Sequence, residues 1–280
     1  MSHHKSTTST VRQTSANKLK PSKLKLSKLT FRRFVYAGFI VCLLCLLPFL
    51  FQKGIASAYH FKSNYYLDQW QSGKAIDELQ YSNALLASDY AASIDGNNPH
   101  YLLTQAKVME WGIHAGFAVA NNDKFNQLYQ QAIALRTVWP NAYSDYAYNL
   151  AFIQQDLAKA WPYLQLAAKY GPYSPDVIRQ TLAIGLANWQ QLDGHQKQYI
   201  LKTSVLAAQT DWKMRSAFKD LVTTYQLEKT VCLYIKFQKQ PISESSVGWL
   251  NQYLCKGFPV TVSSNTQPVS DENASVSEPS

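Results

Sequence analysis

Eighteen consecutive residues, Phe34 to Phe51 (FVYAGFIVCLLCLLPFLF), carry no charge. At the helical rise, a run of this length covers about 27 Å, close to the thickness of a bilayer's hydrocarbon core. Lipid offers no partner for backbone N–H and C=O groups, so such a run must be helical where it crosses. The rest of the chain is then divided by what lies on each side. Nine of the 27 Lys and Arg residues fall within residues 1–33, ending with Arg32 and Arg33 beside the apolar run, and the first acid is Asp68. The positive-inside rule puts this basic side in the cytoplasm and the body across the membrane. The expectation is a single-pass bacterial inner-membrane protein with a periplasmic body.

The 18 basic residues that remain are matched by 18 acids, so the net charge of +9 belongs to the tail. A folded nucleic-acid-binding domain with a basic face is therefore not expected. Residues 1–33, rich in Ser, Thr and Lys, read as a disordered cytoplasmic tail, although the leucines among its lysines also suit the surface of anionic lipid. The run at 34–51 reads as the transmembrane helix, and 52–74 as a juxtamembrane helix or linker. Residues 75–260 read as the folded body and 261–280 as a second disordered tail. Ala56-Ser57-Ala58 has the small-x-small form of a signal-peptidase site. The length of the apolar run and the intruding Lys53 favour an uncleaved anchor over cleavage after Ala58.

Cys42 and Cys45 lie within the apolar run, where they serve as small apolar side chains. Cys232 and Cys255 lie in the exported part. An oxidising compartment permits a disulfide between them, two separate buried thiols being the alternative.

The body repeats with helical period. Ile178, Thr181, Leu182, Gly185, Leu186 and Trp189 line one helix face, as do Tyr143, Tyr146, Ala147, Leu150 and Ala151. Asn98-Pro99, Trp139-Pro140-Asn141, Ser174-Pro175-Asp176 and Thr210-Asp211 read as helix starts, and Asp193-Gly194 separates the Trp189 helix from the next. The fold class expected is all-α, a transmembrane helix followed by tetratricopeptide-like α-hairpin repeats. Tyr129-Gln130-Gln131-Ala132 aligns with Tyr163-Leu164-Gln165-Leu166 at an offset of 34, the tetratricopeptide period. Stacked hairpins bury what one hairpin leaves bare, and an irregular helical bundle is the alternative.

Motifs for chemistry are sparse. There is no HExxH, no phosphate-binding glycine loop and no GxSxG elbow, and no cofactor is expected. Glu110 and His114 share a helix face but make an incomplete metal site. Asp68, Asp77, Glu78, Asp89 and Asp95 are candidates for a carboxylate pair, with nothing to fix their separation. The 18 Tyr and 7 Trp are the stronger signal. Trp111, Trp139, Tyr143 and Trp161 are the candidate docking residues, because aromatic faces anchor protein interfaces and stack on sugar rings. Packing between helices is the competing role for each.

The stretch from Arg136 to Leu192, with Trp139-Pro140, Tyr143, Ala147, Gly171-Pro172-Tyr173-Ser174-Pro175 and Gly185 to Trp189, resembles the VpsP family of polysaccharide-biosynthesis proteins. Asn98-Pro99-His100-Tyr101, Glu110-Trp111 and the single N-terminal membrane helix fit the same pattern. The resemblance covers roughly residues 30–230. It implies a non-catalytic accessory or scaffold role in exopolysaccharide or capsule biosynthesis. Its partners would be inner-membrane polysaccharide assembly proteins, with contact to glycan. A periplasmic chaperone or translocon-associated repeat protein, and a glycan-active enzyme with an unrecognised carboxylate pair, are the alternatives.

Overall fold

The computed structural model describes residues 28–261. The expectations for the N-terminal tail up to residue 27, and for 262–280, lie outside the described residues. Among those residues there are eleven α-helices and no strand. The helices are α1 (Lys28–Gln71), α2 (Glu78–Ile94), α3 (Pro99–His114), α4 (Asn122–Leu135), α5 (Pro140–Phe152) and α6 (Leu157–Tyr170). They continue with α7 (Pro175–Ala187), α8 (Gly194–Ala208), α9 (Trp212–Thr224), α10 (Glu228–Phe237) and α11 (Glu244–Trp249).

Contacts divide the chain after Phe51. The first unit contains the apolar half of α1, whose side chains from Phe31 to Phe51 are all exposed. From Phe31 onward α1 is the one described helix long and apolar enough to cross a membrane. A soluble fold would bury those side chains, at roughly 2 kcal/mol for each large one left in water.

The second unit starts at Gln52, and the remainder of α1 belongs to it. Leu67 and Trp70 pack with Tyr81, Ala84 and Val108, and Ala56 packs with Ala91 and Tyr101. Ser63, fully buried, donates its hydroxyl to the Ala84 carbonyl at 3.2 Å. The segment expected as a juxtamembrane helix or linker is thus the first helix of the body's own core. Its buried positions step by three, four or seven residues, which is one face of a helix.

Side chains close many of the exposed helix starts. Asn98, Asp156, Asp193 and Asp211 each accept a hydrogen bond from a first-turn backbone N–H, and Asp193 with Gln196 forms a capping box. Trp139 and Ser174 precede prolines and make no such bond. Instead the Asn141 amide donates to Asp176 at 3.1 Å, tying the start of α5 to that of α7.

Two hairpins recur. α4 and α6 begin at Asn122 and Leu157, and α5 and α7 at Pro140 and Pro175, a step of 35 in both cases. Phe125 with Ala160, Tyr129 with Leu164, and Ala132 with Ala167 are equivalent and fully buried. The alignment of Tyr129 with Tyr163 is therefore one residue out of register: Tyr163 is only partly buried and is the equivalent of Leu128. On either side the spacing changes, with α3 starting 41 residues before α5 and α8 starting 37 after α6. α3, α5, α7 and α9 each pack against the next of the four, forming one layer. Leu157 and Trp161 pack against both of the large apolar cores. Gly185 of α7 meets Ile200 of α8 so closely that a Cβ there would sit 2.2 Å from the Ile200 side chain.

Cys232 on α10 and Cys255 form a disulfide with a Cα–Cα separation of 5.6 Å, and both are fully buried. Cys255 follows a π-helical turn at Leu250–Leu254. Asn251 grips Val260 through both its backbone N–H and its carbonyl, which holds Val260 in the apolar core.

Candidate functional site

Polar side chains on an otherwise apolar face converge where α3, α5 and α7 lie side by side. Lys107 and Glu110 come from α3, Asp145 and Asn149 from α5, and Gln180 from α7. Asp145 and Gln180 occupy the same position in successive hairpins, five residues after Pro140 and Pro175. Lys107, Glu110, Asp145 and Gln180 line a cleft of about 430 Å³ together with Gln71 of α1, Trp111, His114, Tyr148, Phe152 and Arg179, while Asn149 lies buried behind Glu110.

Asp145 is 4% exposed and lies 2.7 Å from the Lys107 ammonium. Its other oxygen accepts from the Gln180 amide at 2.5 Å. Burial alone would depress Lys107, but the Asp145 carboxylate overrides it and holds the ammonium above its ordinary value. Gln180 Oε1 is buried without a hydrogen-bond partner, a condition that costs free energy until a donor arrives.

Glu110 lines the same cleft and is half-buried where Asp145 is buried. Tyr129 donates to its Oε1 at 2.6 Å and Asn149 donates to the same oxygen at 2.7 Å. Burial pushes its carboxyl up to about 7, against those two hydrogen bonds, with the Asp145 charge adding to the rise and Lys107 opposing it. Burial and the same carboxylates hold the Tyr129 phenol well above its usual value. A carboxyl raised to about 7 is partly protonated near neutrality.

The four candidate docking aromatics are dispersed. Trp111 lines the cleft and stands 6.2 Å from Trp70 and 5.7 Å from His114 between ring centroids. Trp139 lies apart, 4.3 Å from the His100 ring and under the Arg136 guanidinium at 5.1 Å. Tyr143 is only 6% exposed, packs against Tyr170 and donates to the Thr137 carbonyl at 2.7 Å. Trp161 wedges between the two cores and meets Tyr199 edge-on at 5.7 Å. No ring contact joins any two of the four among the described residues. The packing role accounts for Tyr143 and Trp161.

The expected carboxylates are equally scattered. Asp77 caps α2, Asp89 accepts from Gln105 at 2.5 Å, and Asp95 pairs with Lys53. Glu110 and His114 share the cleft, and among the described residues no group of three His, Cys, Asp or Glu side chains is placed to hold a metal ion. Lys107, Asp145, Asn149 and Gln180 were not distinguishable in advance as a cluster. The signal was present as polar residues interrupting the buried faces of YSDYAYNLAF and PDVIRQTLAIG. Recognising it requires the helix register.

No protein-family model matches the chain, and neither the curated proteins nor the solved structures contain a match.

Proposed function

We propose that the protein is a membrane-anchored, non-catalytic accessory or scaffold of exopolysaccharide or capsule assembly, with tetratricopeptide-like hairpins forming its periplasmic body. In this reading the apolar half of α1 spans the inner membrane with the basic tail in the cytoplasm. The observation that carries it is the cleft at α3, α5 and α7, a concave polar and aromatic surface on rigid helices. Ligand sites of small and extended partners share that character. The buried disulfide is in keeping with an oxidising compartment. The anchor holds the cleft near membrane enzymes, raising the effective concentration of whatever it grips. Deleting the gene and weighing secreted polysaccharide is the test: output should fall, and unchanged output removes the assembly role.

One observation favours a second reading, a glycan-active enzyme. Glu110, held near pH 7 by burial, has the character of a general acid, and Asp145 lines the same cleft. Against it, Asp145 is already engaged by Lys107 and Gln180, so among the described residues no unengaged carboxylate on the cleft lining faces Glu110 as base or nucleophile. Release of reducing ends from a polysaccharide by the purified full-length protein, lost in Glu110→Gln, would establish this second reading in place of the first.

A further inference from the structure

We propose that the cleft between α3, α5 and α7 binds a pyranose ring of a polysaccharide chain. This rests on the reading of the cleft as the protein's binding surface and names the ligand. The wall presents both kinds of polar demand. Gln180 Oε1 is a buried acceptor without a donor, and Glu110 keeps Oε2 free of hydrogen bonds because Tyr129 and Asn149 both use Oε1. Arg179 and Lys107, on the same lining, are donors that cannot accept.

Charged ligands fit poorly. Lys107 and Asp145 already neutralise each other at 2.7 Å and Arg179 faces Asp176 at 3.4 Å, so a charged ligand has to compete with an existing ion pair. A hydroxyl donates and accepts at once, so adjacent hydroxyls satisfy Gln180 and Glu110 while receiving bonds from the basic side chains. Pyranoses offer such hydroxyls around the rim and an apolar C–H face above and below. Trp111 and Tyr148 on the lining supply flat aromatic surface for that face. The cleft's 430 Å³ lies within the range of small-ligand sites.

The test uses detergent-solubilised full-length protein and saturation-transfer NMR with methyl hexopyranosides, N-acetylhexosamine, hexuronic acids and their disaccharides. Neutral pyranosides should bind in the roughly millimolar range usual for weak single-ring contacts. Gln180→Leu and Trp111→Ala should each weaken binding about tenfold, with unchanged far-ultraviolet dichroism. Trp212→Ala, exposed and outside the cleft, should leave binding as it is. Absence of saturation transfer from every sugar overturns the proposal, as does equal binding by the cleft variants and the native chain. Tighter binding of the uronic acids than of the neutral rings overturns the charge argument and with it the proposal. If sugars bind but gene deletion leaves polysaccharide output intact, the ligand assignment stands and the assembly role falls. If cleft variants abolish output while no sugar binds, the cleft serves a protein partner and the sugar assignment falls.

Discussion

Replacing Glu110 with Gln should remove a defined part of the protein's pH dependence. The folded carboxyl is raised from 4.5 to about 7, chiefly by burial. At about 1.36 kcal/mol per unit, that rise corresponds to about 3 kcal/mol between the two protonation states. Its sign follows from proton counting. Between 4.5 and about 7 the native state keeps a proton that the unfolded chain has released. This contribution is complete below 4.5, declines as pH rises, and is gone above about 7. Glu110→Gln keeps an oxygen for Tyr129 and Asn149 and replaces the carboxyl proton with an amide N–H, so it mimics the protonated form at every pH. Asp145 and Lys107 face the same site from α5 and α3, and their charges are common to both proteins. The assay is thermal unfolding by circular dichroism of the full-length chain in detergent, native and variant, at pH values on both sides of the window. The melting-temperature gap between the two should widen by about 6–12 °C in the variant's favour from the acidic to the alkaline end. Parallel pH profiles would show that Glu110 does not titrate in this window and would refute the burial reasoning.

Three further outcomes follow from packing. Cys232→Ser with Cys255→Ser opens a loop closed across 23 positions; the urea midpoint should fall by the equivalent of about 3 kcal/mol, and an unshifted midpoint would mean the bridge adds nothing. Gly185→Ala drives a methyl into Ile200, which is fully buried, and should cost about 1–3 kcal/mol; a neutral result in the same unfolding assay would show that α7 and α8 move apart freely. Lys107→Met leaves the buried Asp145 with Gln180 alone, so stability should drop by about 3 kcal/mol, with most of the loss recovered in Lys107→Met combined with Asp145→Leu.

Helices and the long apolar run were legible because each depends on neighbours in sequence. The charge-free stretch from Phe34 to Phe51, the Asn98-Pro99 cap and the break at Asp193-Gly194 need nothing distant to define them. The continuation of α1 into the body was harder to see. Its buried face is marked by Ala56 and Ser63, which gain meaning only from Ala84 and Ala91 across the helix pair. The match of Tyr129 with Tyr163 at 34 residues caught the letters and not the register: two hairpins recur at a step of 35, and burial equates Tyr129 with Leu164. The cleft was the least legible part. Trp111, Glu110 and His114 stood out individually, but Asp145 and Gln180 look like ordinary polar helix residues until α5 and α7 are set side by side. Aromatic content pointed toward a docking surface, yet two of the four aromatics singled out, Tyr143 and Trp161, belong to the cores.

The most direct measurement is complementation of a gene deletion by full-length protein carrying Trp111→Ala and Gln180→Leu, with secreted polysaccharide as the readout. Both side chains line the cleft, so the variant should reach the membrane at the native level and fail to restore output. Full restoration by that variant would contradict the claim that the protein works through this cleft.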